Sequence, residues 1–60
     1  MTVTKLITET LDNTITVRDL DGGRWWPSAE ALDEIRASAD PEATALRICD
    51  EEPTRGRWAD

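Results

Sequence analysis

Apolar and polar positions alternate through the first part of the chain. "TVTKLITETL" and "TITVRDL" are both rich in Thr and β-branched residues, and the turn dipeptide Asp12-Asn13 lies between them. This pattern predicts a β-hairpin. Val3, Ile7 and Leu11 share one face of the first strand, and Ile15 and Val17 share one face of the second. A two-residue loop sets Leu11 opposite Thr14, so the apolar faces disagree. A three-residue loop sets Leu11 opposite Ile15 and Glu9 opposite Val17, and the faces agree. Register decides which face is buried, so an odd loop or a bulge is expected here.

A third strand follows "DGG". Asp21-Gly22 suits a tight primed turn, because both central residues can take positive φ. With that turn Leu20 faces Gly23, Arg18 faces Trp25 and Val17 faces Trp26. Trp26 then joins Ile15 and Val17 in the core, and Trp25 lies on the opposite, more exposed face. Pro27 ends the strand because it has no N–H to donate.

From Ser28 onward the period changes to that of a helix. Ser28 is a good N-cap and Glu30 sits in the first turn. "AEALDEIRASA" places Ala31, Leu32 and Ile35 on a buried face. Asp40, Pro41 and Glu42 open a second helix as cap, first residue and first-turn acid. Its apolar positions are Ala45, Ile48 and Cys49, with Leu46 at their edge. Pro53 marks its end, and "TRGRWAD" forms either a short last strand or an extended tail. The expected architecture is one small α+β domain over residues 1–60: an antiparallel sheet with two short helices packed on one face.

Composition narrows the chemistry. Cys49 is the only cysteine and there is no His, so the chain contains neither an intrachain disulfide nor a zinc site of ordinary composition. No cofactor or metal is expected. Without His, and with Cys49 on an apolar helical face where a free cysteine behaves as a small hydrophobe, an enzyme is not expected either. The N-terminal residues hold no apolar run of signal-peptide or membrane-span length. A lone cysteine suits a reducing compartment, so the expected location is the cytoplasm.

Charge carries the functional signal. Thirteen Asp and Glu face seven Lys and Arg, a net charge of −6. Such a surface repels nucleic acid and is drawn to basic grooves. It also simply confers solubility at this chain length. Glu30, Asp33 and Glu34 fall at helical spacing, where like charges destabilise by ~0.2–0.5 kcal/mol per pair. Asp50, Glu51 and Glu52 crowd a helix C-terminus, where the dipole disfavours anions by ~0.3–1 kcal/mol. Broken local rules concentrate at working sites, so these six acids are candidate partner-binding residues. The competing account is that Arg47, Arg55 and Arg57 neutralise them. Trp25 is the seventh candidate, as an aromatic anchor. Alternatively it stacks on Arg18 or Arg57, or is covered by the tail with Trp58.

Carboxylates at helical spacing imitate a row of phosphates. In size, acidity and element order the chain resembles the small acidic anti-CRISPR proteins of phages, type I-C inhibitors in particular. The stretches concerned are "AEALDEI", "CDEE" and "TLDNTITVRDLDGGRWW". That resemblance implies binding to a CRISPR effector complex in the host cytoplasm and blocking of its target DNA. The alternative is a small αβ interaction module, an antitoxin or accessory subunit, using Trp25 and an exposed sheet face or edge. A homodimer that completes its own core is a third option.

Overall fold

The structure is a computed structural model that describes residues 5–59; Val3 lies outside the described residues. Four strands form one antiparallel sheet in the order β1 (Leu6–Leu11), β2 (Thr14–Asp19), β3 (Arg24–Pro27) and β4 (Gly56–Ala59). Helices α1 (Ala29–Ala37) and α2 (Pro41–Glu51) come between β3 and β4, and a 3-10 turn at Pro53–Arg55 leads into β4. This is the expected α+β architecture, and "GRWA" is its last strand.

The helices begin where their capping residues stand. The Ser28 side chain accepts from the Ala31 N–H at 3.2 Å, and Asp40 accepts from Ala43 at the same distance. Pro41 opens α2, where its missing N–H leaves no bond unmade. Ala31 and Ile35 are buried on α1, and Ala45, Ile48 and Cys49 on α2. Leu32, expected in the core, is only half-buried.

Both hairpins depart from the expected register. The first closes through the two residues Asp12 and Asn13, with Leu11 opposite Thr14. Their φ values of 52° and 62° are those of a primed turn, whose twist matches the flanking strands. The odd loop was expected so that all apolar residues would share one face. The structure instead sends Ile7 and Leu11 to the face opposite the core, where they are 40% and 42% exposed. Leu6, Thr8 and Thr10 face the helices in their place.

The second hairpin has one more loop residue than expected. Asp19 starts the turn: Gly22 N–H donates to its carbonyl at 2.9 Å, and its side chain accepts from Asp21 N–H at 2.8 Å. Asp19 N–H then donates to the Gly23 carbonyl at 3.1 Å. Gly22 and Gly23 both have positive φ, which glycine adopts without steric strain. Arg18 therefore pairs with Arg24, and Val17 with Trp25.

That shift of one residue exchanges the two indoles. Trp25 is fully buried, in a cluster with Val17, Ile35, Ala45, Ile48 and Cys49, flanked by Leu6, Ile15 and Leu46. Trp26 is half-buried on the other face. The Trp25 indole N–H donates to the Pro53 carbonyl at 3.0 Å, so no polar atom is stranded by its burial. Its ring lies over Gly56. A Cβ there would stand 2.5 Å from ring carbons Cε2 and Cζ2. Glycine is required at position 56 for room, since its backbone is extended.

Candidate functional site

The six acidic candidates all sit on the helical layer or at its end, but the structure divides them. Glu34 on α1 accepts from Arg55 at 2.8 Å and from Arg47 at 3.4 Å. Glu52, the C-cap of α2, lies 3.7 Å from each of the same two guanidiniums. The four side chains close a ring tying α1, α2 and the 3-10 turn together. The Arg55 hydrogen bond holds the Glu34 carboxyl below the usual carboxylate range, and Glu34 in turn raises Arg55. Neutralisation by Arg47 and Arg55 thus applies to two of the six acids; Arg57 takes no part.

Glu30, Asp33, Asp50 and Glu51 are exposed and make no ion pair among the described residues. Asp50 and Glu51 line a shallow concavity of about 280 Å³ with Leu6, Leu46 and Arg47, between α2 and the β1 edge. No basic residue stands in the last turn of α2, so their conflict with the helix dipole is uncompensated. Arg47 and Arg55 offset two of the six negative charges, and four remain.

Trp25 is not an exposed anchor. It is the largest fully buried side chain, and neither Arg18 nor Arg57 stacks on it from the open face. Residues directly opposite in a sheet share a face. Trp26 and Arg57 face each other across β3 and β4 on the uncovered side. They also line a concavity of about 340 Å³ with Pro27, Ser28, Thr54 and Gly56. Trp58 pairs with Trp25 on the helical side yet is 45% exposed.

The sequence pattern assigns Trp25 to the uncovered sheet face; the structure puts Trp26 there instead. The centre of that face is a polar lattice. Glu9 accepts from Arg24 at 2.8 Å and lies 3.6 Å from Arg18. Arg24 also donates to Thr16 Oγ1 at 2.9 Å, and that hydroxyl donates to the Glu9 carbonyl at 3.0 Å. Thr16 is buried beneath these chains, with its hydrogen bonds made. Ile7, Leu11 and Trp26 surround the lattice. The alternation that pointed to Ile7 and Leu11 as core was the signal for this face, once the turn at Asp12-Asn13 is recognised as two residues long.

Cys49 is buried, and desolvation together with the charges of Asp50 and Asp19 pushes its thiol up to about 11. It is a packing residue in the resting structure. Among the described residues no three Cys, Asp or Glu side chains group as cation ligands, and no helix is long and apolar enough to cross a membrane. No family model, curated protein or solved structure matches this chain.

Proposed function

We propose that this chain is an acidic binding protein that inhibits a nucleic-acid-handling partner by occupying its basic surface. The carrying observation is the exposed set Glu30, Asp33, Asp50 and Glu51, unpaired among the described residues, with Asp50 and Glu51 held against the dipole at the end of α2. Such a set competes for the Lys and Arg that hold phosphates, and steering speeds its docking. The anti-CRISPR resemblance makes a type I-C effector complex the first partner to test, in the host cytoplasm. Binding rather than catalysis is also the better fit to a chain without His whose one thiol is buried.

The test is target-DNA binding by a purified type I-C effector complex, with the chain added. The native chain is expected to abolish DNA binding, with an effect that weakens as salt rises, because exposed charges are screened over ~8 Å at physiological ionic strength. The triple variant Asp33→Lys, Asp50→Lys, Glu51→Lys is expected to lose inhibition while keeping its fold. None of the three belongs to the Glu34–Arg47–Glu52–Arg55 ring, and Lys suits the end of α2. Undiminished inhibition by this variant would sink the phosphate-mimic reading.

A second reading is favoured by one observation: Ile7 and Leu11 are exposed on the sheet face away from the helices. An interaction module, antitoxin or accessory subunit, would use that face, with Trp26 in the role first assigned to Trp25.

A further inference from the structure

We infer that the uncovered sheet face is a docking surface for an acidic polypeptide segment bearing apolar side chains. The inference rests on the interaction-module reading and names its partner's chemistry. Among the described residues, the strand positions on this face bring together Arg18, Arg24 and Arg57 against the single carboxylate Glu9. Glu9 is already engaged by Arg24 and approached by Arg18. The face is therefore locally positive on a chain whose net charge is −6.

The molecule's shortest dimension is 19 Å. That exceeds the ~8 Å screening length at physiological ionic strength, so exposed acids on the far side of the helices are largely screened from this face, while Asp50 and Glu51 stand nearer, beside Leu6 at the β1 edge. An approaching segment meets the charge of the face itself. Arg18 and Arg57 supply exposed guanidiniums for carboxylates. Trp26, Ile7 and Leu11 supply apolar contact area, and aromatic residues and Arg are the types enriched where binding energy concentrates.

Charge and apolar area separate this occupant from two others. A second copy packed face to face would bring Arg18 and Arg57 of each chain against the same positive face. Single-stranded nucleic acid would gain a stacking platform in Trp26, yet its sugar-phosphate backbone would leave the exposed aliphatic side chains of Ile7 and Leu11 without apolar contact.

The probe is a synthetic peptide of about eight residues repeating Glu-Glu-Leu-Leu, which in extended form presents both residue types on each side and at ~3.3 Å per residue is long enough to cross four strands ~4.8 Å apart. It is titrated into the isotope-labelled full chain and followed by backbone and indole chemical shifts. Saturable shifts at Ile7, Leu11, Arg18, Trp26 and Arg57 are expected. R18E/R57E should weaken binding by about tenfold or more through lost and reversed charge, and the milder R18Q/R57Q covers the case in which the reversal unfolds the chain.

The inference is overturned if the acidic peptide gives no saturable shifts on this face. It is also overturned if an oligothymidylate binds there more tightly, or if the same resonances move with protein concentration alone, which would mean a second copy covers the face. A Thr–Leu peptide that binds as tightly as the Glu–Leu peptide would overturn the charge assignment while leaving the face an interaction surface, so the two readings fail separately.

Discussion

Trp25 and Trp26 are adjacent and chemically identical, yet they should respond to truncation differently. Trp25 fills the centre of the core and its N–H is satisfied by Pro53. Trp25→Ala should cost ~3–5 kcal/mol, as for large aromatic truncations in other cores, which is most of the stability of a domain this small. Trp26→Ala removes a half-buried ring from an uncovered face and should leave a cooperative urea transition close to that of the native chain. Equal losses at the two positions would contradict the register. Cys49 offers a second residue-scale test. Its folded-state pKa of about 11 lies above that of an unfolded thiol, ~8.5. Its contribution to stability is therefore fully present below ~8.5 and is lost as pH rises toward about 11. Native protein at pH ~8 should react slowly with a thiol reagent and quickly once unfolded, which a colorimetric assay with and without denaturant measures.

At the scale of elements, the first hairpin depends on two non-glycine residues at positive φ, Asp12 and Asn13. Asn13→Gly gives the second of them the residue that the primed turn prefers. Asn13→Gly should raise the thermal midpoint slightly, because relief of the positive-φ strain exceeds the added freedom of the unfolded chain. A thermal melt lower than that of the native chain would argue against the two-residue turn. The ion-pair ring joins α1, α2 and the 3-10 turn, and its titration has a definite sign. Glu34 is held below its ordinary pKa, so its contribution is present above ~4.3 and lost as pH falls through the folded value. Glu34→Gln should lower the urea midpoint at neutral pH, and the difference from the native chain should shrink toward pH ~3. The ring is solvent-exposed, so high salt should shrink it as well.

For the whole molecule, the distribution of charge matters more than its sum. The helical layer keeps Glu30, Asp33, Asp50 and Glu51 outside any ion pair among the described residues, while Arg18, Arg24 and Arg57 lie on the opposite side of the sheet. Two proposals therefore make separable predictions on one molecule. Reversal on the helices should affect a basic partner, and reversal on the sheet an acidic one, with little crosstalk once salt shortens the range of each field. A variant reversed on one side should keep the binding activity of the other, as two parallel titrations would measure. Loss of both activities from either reversal would mean that the faces serve a single site.

Local signals in the sequence determined the elements and their ends. Ser28 and Asp40 cap the helices, Pro41 and Pro53 bound the second one, and the Thr-rich alternation makes the strands. These signals are legible because each acts within about one turn of the chain. The burial of Ala31, Ile35, Ala45, Ile48 and Cys49 followed from helical period alone. Register was decided only in the folded sheet. One loop residue too many at Asp12-Asn13 and one too few after Asp19 send alternate side chains to the opposite face, because a strand has a period of two. Leu11 and Trp26 were thereby expected in the core, and Trp25 outside it. The distinction between paired and unpaired acids was likewise tertiary. Arg47 and Arg55 are 13 and 21 residues from Glu34, and only the packing of α1, α2 and the 3-10 turn brings their charges within reach of it.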